Sequence, residues 1–264
     1  MPAMLWPWIP PGTFYLEYAA AMGRTFVIGD VHGELAALDG LLGQLPWIAP
    51  DDTLVFLGDY VDRGPNSRGV IDRLRRLPEQ TAGRVVLLRG NHEDAWLACA
   101  RAPELGFLGP RGNGCAEMYR SYVGGETPIG AEGLSVAEMA SLIDVASWLP
   151  AYIVAWMEKL PHWYEDDHAI YVHAGLEGEG TLWNHPRDSS QHALLWMREP
   201  DFFTGYQGKT LVFGHTVVTD LPPEDPQRRV PWQRGPLIGI DTGSGRGGPL
   251  SCLELPSRNV YHSA

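Results

Sequence analysis

Five short apolar runs in this chain of 264 residues each lead into a polar turn that contains glycine. The clearest is LVFLGDYVDRG, in which a run typical of a buried strand leads directly to Asp59, Asp62 and Arg63. A buried strand that ends on carboxylates needs a partner for their charge. The fold therefore has to bring these turns to a place where something binds them. The five turns are GDVHG (29–33), GDYVDRG (58–64), GNHE (90–93), HAG (173–175) and GHT (214–216).

The segments between the apolar runs indicate an α/β fold. From residue 24 onward, TFVIGD, TLVFLGD and RVVLLRGN alternate with segments such as ELAALDGLLGQL, whose leucines are spaced as in an amphipathic helix. Such alternation is typical of βαβ units around a largely buried sheet. Further strands are predicted at HAIYVHAG, TLVFGHT, PLIGIDTG and LSCLEL.

The chain is predicted to form one main domain. We expect residues 1–23 to be an N-terminal extension and residues 24–264 to be the domain, with residues 100–165 as a helical insertion over one edge of the sheet. Pro150 is expected to divide that insertion's apolar segment into two helices. Four prolines interrupt the apolar N-terminus, so no spanning helix is expected there, and Met22 is an alternative start.

Composition excludes several classes of protein. The net charge of −12 argues against binding to a nucleic-acid backbone, which needs a cationic surface. A phosphate-bearing substrate is still compatible, because a few arginines or bound cations can reverse the sign of the charge within one cleft. The three cysteines are too few and too scattered for a disulfide framework or a thiolate metal site. We therefore expect a cytoplasmic protein with no nucleic-acid partner and no membrane contact.

The five turns together predict a metal centre. Ligands of an open α/β sheet bind beyond the carboxyl ends of its strands, so the turns would bring their donors to one place. Oxygen and imidazole donors without thiolates suit manganese, iron or zinc, and such a cluster commonly holds two ions about 3.5–4 Å apart. Each turn alone is typical of a helix cap or a core histidine, and it is the repetition that favours metal binding. The six donors are Asp30, His32, Asp59, Asn91, His173 and His215.

Three neighbouring residues supply candidate chemistry. Arg63 has a planar guanidinium that suits a pair of phosphate oxygens. His92 is free to act as a general acid if Asn91 binds metal, and Asp62 could orient its ring. The alternative for Arg63 and Asp62 is a surface pair that stabilises the turn. Four other histidines lack this context and are expected at the surface; they are His162, His168, His185 and His192.

With these residues assembled, the chain resembles the phosphoprotein phosphatase family of the calcineurin-like metallophosphoesterases. The markers of that family, a GDxHG, a GDxVDRG and a GNHE/D loop followed by two histidines, occur here in order over roughly residues 24–255. The resemblance implies an α/β fold, a βαβ sandwich of two mixed sheets flanked by helices. It also implies one ion on Asp30, His32 and Asp59 and a second ion on Asp59, Asn91, His173 and His215.

The resemblance further implies roles in the reaction. His92 and Asp62 would form the acid pair and Arg63 would bind phosphate. LLWMRE (194–199) is similar to the WxRE segment of bacterial and phage members, which makes Arg198 a second phosphate ligand, although a tryptophan and an arginine on an amphipathic helix are more often core and surface. The implied mechanism is direct attack of a metal-bridging hydroxide on phosphorus, with manganese the first choice of metal and iron or zinc the alternatives.

The sequence constrains the identity of the substrate less than it constrains the type of reaction. The first hypothesis is a bacterial-type serine/threonine protein phosphatase, with phosphotyrosine as a further substrate. The second is a symmetrical diadenosine tetraphosphatase, which shares every loop but needs a pocket for a base. The third is a non-catalytic binding module on the same scaffold, which a missing metal ligand would indicate, and none is missing.

A symmetrical diadenosine tetraphosphatase would need groups that bind a base and a longer phosphate chain, and the helical insertion offers candidates. Its aromatic side chains could stack on a purine, although at helical spacing they are more typical of a core; they are Trp148, Tyr152, Trp156 and Trp163. Arg111 and Arg120 could bind a longer phosphate chain, but are more typical of a solvated surface.

Overall fold

A computed structural model of the chain describes residues 23–124 and 134–264. Its first sheet contains three parallel strands that are joined by helices, as the alternating pattern predicts, and two antiparallel strands from the end of the chain. The order across this sheet is β12-β11-β1-β2-β3. The strands are β1 (Thr25–Ile28), β2 (Thr53–Phe56), β3 (Arg84–Leu87), β11 (Ser251–Leu255) and β12 (Val260–His262).

The second sheet has the order β4-β5-β8-β10-β9 and is also mixed. Its three central strands are parallel and its two edge strands are antiparallel to their neighbours. A separate hairpin pairs β6 with β7. These strands are β4 (Trp163–Glu165), β5 (Ile170–Val172), β6 (Gly178–Glu179), β7 (Leu182–Trp183), β8 (Leu211–Phe213), β9 (Trp232–Arg234) and β10 (Leu237–Gly239).

Ten α-helices lie in the described part of the chain. The first two connect the parallel strands of the first sheet, and the third follows β3. Five more helices lie between that third helix and β4. Two short 3-10 turns, Arg111–Asn113 and Pro186–Asp188, accompany them. The helices are α1 (Leu35–Leu42), α2 (Ser67–Gln80), α3 (Asn91–Arg101), α4 (Leu105–Leu108), α5 (Cys115–Val123), α6 (Val136–Ile143), α7 (Val145–Trp148), α8 (Ala151–Glu158), α9 (Gln191–Trp196) and α10 (Pro200–Gly205).

The two sheets pack face to face. Successive side chains of a strand point to opposite faces of its sheet, so the core between the sheets is separate from the core outside each sheet. In β1, Phe26 and Ile28 pack with the helices outside the first sheet, whereas Val27 points toward the second sheet. Val212 of β8 belongs to the same inter-sheet core, while Phe213 packs against α10 on the far side. Each fully buried aliphatic side chain contributes about 1.5–3 kcal/mol. The predicted sandwich of two mixed sheets flanked by helices is confirmed.

The segment after α3 differs in detail from its prediction. Its helical part contains three helices after residue 134 rather than two, because Asp144 ends α6 and Pro150 then precedes α8. Trp148 packs edge-on against Trp96, so it belongs to the core on the outer face of the first sheet. The prediction for residues 1–22 lies outside the described residues. Within residues 23–124 and 134–264, no helix combines the length and apolarity that crossing a bilayer requires.

Candidate metal centre

The structure brings all six predicted donors together at the carboxyl ends of five strands. Each donor follows its strand directly or within a few residues, and all six side chains are buried. Two sets of three residues could each hold a metal ion, because the donor atoms within each set all lie within 4.8 Å of one another. Both sets contain Asp59. We refer to them as the His32 group and the His173 group. The His32 group is His32, Asp59 and His92, and the His173 group is Asp59, His173 and His215.

In the His32 group, the ring of His32 faces two carboxylates. Its Nε2 lies 3.5 Å from Asp59 Oδ2 and 4.0 Å from Asp30 Oδ2. Nε2 of His92 lies 3.9 Å from the same Asp59 Oδ2. Asp30 is held from the opposite sheet, since the backbone N–H of His215 donates to both of its carboxylate oxygens.

In the His173 group, two rings meet at one amide oxygen. His173 Nε2 and His215 Nδ1 each lie 2.8 Å from Asn91 Oδ1. The same Nε2 of His173 is 3.5 Å from Asp59 Oδ1, so Asp59 presents one oxygen to each group. This placement matches the shared position predicted for Asp59.

The orientation of the rings fits metal binding. Nδ1 of His32 donates to the carbonyl of Val61 and Nδ1 of His173 to that of Leu57, both at 3.0 Å, which leaves the Nε2 lone pairs facing the centre. Burial lowers the pKa of both rings, which favours the neutral form that can bind a cation. The buried Nε2 of His215 has no hydrogen-bond partner among the described residues. These donors therefore fit two divalent ions.

Charge at the centre is concentrated on Asp59. Burial opposes its ionisation, but His173, His92, His32 and Arg63 together hold the pKa of Asp59 far below its usual range. The pKa of Asp30, in contrast, is raised by burial and by the negative charges of Asp241 and Asp59. Bound cations would relieve the repulsion among these carboxylates.

The predicted acid pair is present as a buried hydrogen bond. His92 Nδ1 lies 2.5 Å from Asp62 Oδ2, and the indole N–H of Trp96 donates to Asp62 Oδ1 at 2.9 Å. Although burial disfavours the charged ring, Asp59 and Asp62 raise the pKa of His92. The pKa of Asp62 is raised as well, chiefly by burial. This geometry excludes the alternative of a surface pair for Asp62, which is fully buried.

Both predicted phosphate ligands lie beside the centre. The guanidinium of Arg63 contacts the Nε2 atom of His32, and its Nη2 lies 3.1 Å from Nε2 of His92. Arg198 follows α9 and donates to the carbonyl of His215 at 3.2 Å. Arg63 and Arg198 line the same cleft.

Glu93 is a structural residue of the site that the sequence analysis missed. Its buried carboxylate accepts hydrogen bonds from the backbone N–H groups of Asp59, Tyr60, Val61 and Gly90. These bonds tie the loop after β2 to the first turn of α3. A glutamate three residues after Gly90 is the spacing of a capping box, so the signal was present in GNHE.

The site is built on a strained backbone. Five of its non-glycine residues have φ between 47° and 73°, a region that L-residues seldom occupy. Such conformations persist only where the surroundings hold them. Here Gly33 and Gly64 make the close approach possible, because a Cβ on Gly64 would lie 2.3 Å from the carbonyl oxygen of His32. The five residues are His32, Asp59, Asp62, Arg63 and His215.

Several secondary expectations are corrected. His162, His168 and His185 are half-buried rather than at the surface, and only His192 of that set is exposed. His168, for example, lies 2.8 Å from the carbonyl of Gly23. Arg120 is buried and its Nε donates to Glu138 at 2.9 Å, so it is not a solvated arginine.

The aromatic side chains of the helical segment pack elsewhere than in the cleft beside the centre. Trp148 and Trp156 pack against the core outside the first sheet, and Trp163 against the core outside the second. Tyr152 is 54% exposed and stacks under Arg75. These positions favour the core interpretation over a purine site.

Comparison with known proteins decides the family. The family model described as "Calcineurin-like phosphoesterase" matches residues 23–219. The chain belongs to the calcineurin-like phosphoesterases. The resemblance found in the sequence is thus confirmed, and membership supports a metal-dependent phosphatase whose histidine and aspartate groups are positioned for two metal ions.

Relatives within the calcineurin-like phosphoesterases carry two kinds of name. The chain is 39% identical to serine/threonine-protein phosphatase 2 of Escherichia coli, over 93% of this chain and 99% of that protein. It is 28% identical to an asymmetrical bis(5'-nucleosyl)-tetraphosphatase of Bacillus mycoides, over 87% and 89% of the two chains. Animal and amoebal serine/threonine phosphatases match over 25% of this chain, and the match spans only 18–21% of their own length.

Solved structures support the fold of this phosphoesterase. A crystal structure solved under the name of a diadenosine tetraphosphatase superposes with a TM-score of 0.62 at 22% identity. The match covers 91% of this chain and 93% of that one.

Proposed function

We propose that this phosphoesterase hydrolyses phosphomonoesters of proteins, phosphoserine and phosphothreonine first, with phosphotyrosine as a further substrate. The observation that carries the phosphatase chemistry is the buried His92–Asp62 pair, which connects the His32 group to Asp62 and lies beside Arg63. The protein substrate is supported by the 39% identity to an E. coli protein phosphatase over nearly the whole of both chains.

The proposed metal ligands are members of the two donor groups together with Asp30 and Asn91, and they leave His92 free for proton transfer. Asp30, His32 and Asp59 would hold one ion, and Asp59, Asn91, His173 and His215 the other. The donor set suits manganese first and iron or zinc as alternatives. When bound, the two ions would lower the pKa of water and neutralise the phosphate oxygens.

His92 is the proposed general acid. Its Nδ1 is occupied by Asp62, so Nε2 is the atom from which a proton can reach the leaving oxygen of the substrate. Trp96 holds the second oxygen of Asp62, which fixes the carboxylate and therefore the plane of the imidazole. The loss of the proton to the leaving alkoxide is aided by Arg63, whose positive charge lies beside the ring.

Arg63 and Arg198 are the proposed ligands of the scissile phosphate. Both are free of ion pairs with carboxylates among the described residues, and they approach the centre from different loops. A planar guanidinium offers two parallel N–H donors to a phosphate. Two such groups can stabilise charge that builds up on the phosphate oxygens in the transition state.

Hydrolysis of a dinucleoside polyphosphate such as diadenosine tetraphosphate is the second candidate. It is favoured by the B. mycoides relative, whose name states that activity and which matches 87% of this chain. The packing of Trp148 and Trp156 against the core, which the sequence favours for them, leaves this candidate without these two rings as an aromatic platform.

A direct rate comparison tests the proposal. With manganese present, kcat/KM would be measured on a phosphoserine peptide and on diadenosine tetraphosphate. We expect a preference for the peptide of at least about tenfold, equivalent to about 1.4 kcal/mol in the transition state. A preference of that size for the dinucleotide would reverse the assignment of substrate while leaving the metal chemistry intact.

A further inference from the structure

A cleft of about 400 Å³ leads away from the metal centre. It is lined in part by Arg63, Arg198 and His215. The rest of its lining comes from two loops, which we call the 217–229 loop, after β8, and the 242–248 loop, after β10. The chemistry proposed above does not use these two loops.

The two loops contribute two more guanidinium groups to the cleft, Arg229 and Arg246. Within the described part of the chain, the side chain of Arg246 has no hydrogen-bond partner and no carboxylate within 4 Å. Arg229 donates only to the backbone carbonyls of Pro226 and Arg228. Neither arginine is neutralised by a close ion pair.

This arrangement contrasts with arginines elsewhere in the chain. Arg24, Arg73 and Arg89 each have a carboxylate oxygen at 2.6–3.2 Å. The chain has 32 acidic and 20 basic residues, so carboxylates are not scarce. Four arginines that share one cleft without close ion pairs are therefore an unusual concentration of positive charge.

Burial and repulsion within the cleft both act on Arg246. The pKa of Arg246 lies below its ordinary value because of partial burial and the positive charges of Arg63 and Arg198. Asp241 and Asp220 offset part of that effect. Asp220 and Glu224 also line the cleft, so four guanidinium groups face two carboxylates. A bound anion would relieve the excess.

The 242–248 loop is fixed against the metal centre. Ser244 Oγ donates to the carbonyl of Val31 at 3.0 Å. A Cβ on Gly245 would lie 2.7 Å from the Cβ of His32, so only glycine allows this approach. The loop also closes on itself, since Gly243 accepts hydrogen bonds from the N–H groups of Arg246 and Gly248. Arg246 thus extends from a loop whose position relative to His32 is set.

We propose that Arg246, together with Arg229, binds a second anionic group of the substrate, a phosphate or a carboxylate that lies next to the scissile phosphate. Arg63 and Arg198 would hold the phosphate that is cleaved, and the two loops that carry Arg229 and Arg246 would select substrates with a further negative charge. This inference rests on the phosphatase function proposed above. An acidic or doubly phosphorylated peptide and a polyphosphate chain both carry the required group.

The test compares substrates with and without the second charge. The variant Arg246→Gln would be assayed on p-nitrophenyl phosphate, on a phosphoserine peptide with neutral flanks, on the same peptide with a second phosphoserine, and on diadenosine tetraphosphate. For each substrate, kcat/KM would be divided by the value for p-nitrophenyl phosphate. We expect this ratio to fall about tenfold or more for at least one substrate that carries a second anionic group, mainly through KM. The substrate whose ratio falls identifies the source of the second anion.

Two further variants make the test two-sided. Asp220→Asn removes a negative charge from the same cleft, so it should raise the ratio that Arg246→Gln lowers. Arg76→Gln, an exposed arginine of α2 that does not line the cleft, is the matched control and should leave the ratio unchanged. A ratio that is equally insensitive to Arg246→Gln and Arg76→Gln would overturn the proposal.

The outcomes separate this inference from the function on which it rests. If the wild-type protein hydrolyses p-nitrophenyl phosphate but shows no Arg246-dependent preference, the second-anion site is wrong and the phosphatase stands. If the metal-loaded wild-type protein hydrolyses none of the four substrates, the proposed function itself fails.

Discussion

The two donor groups that share Asp59 differ in what else their members do. In the His32 group, the rings contact Arg63 and one of them, His92, is hydrogen-bonded to Asp62. In the His173 group, the rings converge on Asn91 and the buried Nε2 of His215 has no partner in the described chain. The proposed roles differ accordingly: the first group would combine cation binding with proton transfer and phosphate contact, whereas the second would serve as a ligand set alone.

This contrast teaches that residues of similar type and burial should respond differently to substitution. Changes in the His173 group should weaken metal binding and affect all substrates alike. Changes around His92 should depend on the leaving group or on pH. Asp59 belongs to both groups, so it should give the largest effect.

Asp59→Asn removes the charge that both groups share. We expect kcat/KM to fall about a thousandfold or more, because several kcal/mol of charge stabilisation by the ions would be lost. Circular dichroism should still report a folded protein, and elemental analysis should find fewer than two metal ions per chain. Activity near that of the wild type would contradict the shared role of Asp59.

His92→Asn and His173→Asn form a matched pair, one from each group. We expect His92→Asn to lower kcat about a hundredfold or more on a phosphoserine peptide, but far less on p-nitrophenyl phosphate, whose leaving group needs little protonation. His173→Asn should lower the rates on both substrates by similar factors. If His92→Asn also lowered both rates equally, His92 would be a ligand rather than the acid, and the contrast between the groups would disappear.

Asp62→Asn should produce the smallest change in rate and a change in pH dependence. A general acid is active while protonated, so the rate on phosphoserine falls as pH rises through its pKa. Since Asp59 and Asp62 raise the pKa of His92 against the effect of burial, removing the charge of Asp62 should lower that pKa. The basic limb of the kcat profile should therefore move to lower pH in the variant. If the basic limb of the variant stayed at the pH of the wild type, a group other than His92 would control that limb.

The parts of the molecule that could be predicted from sequence are those with local signals. The β1, β2 and β3 strands are visible in the sequence as apolar runs, and the repetition of donor-bearing turns, rather than any one residue, predicts that Asp59 and His173 bind a cation. Edge strands such as β9 and β12 were missed because they are three residues long and mostly exposed or half-buried, so they carry no apolar run.

Other residues acquire their roles only through the tertiary fold. Trp96 has the sequence context of an ordinary core residue on α3, and only the folded chain places its N–H on Asp62. Arg246 stands in a glycine-rich segment, and nothing local indicates that it lines the same cleft as Arg63. Asp241 likewise influences Asp30 through space across the two sheets.

The left-handed backbone at five residues of the site has a consequence for engineering. An L-residue in that region costs about 1–2 kcal/mol relative to an ordinary conformation, and glycine would not incur the cost. At Arg63, which is only half-buried, selection for thermal stability alone would therefore favour glycine and would give stable proteins that lack a proposed phosphate ligand. Stabilising designs for this protein should leave those five positions alone and look to the outer faces of the helices instead.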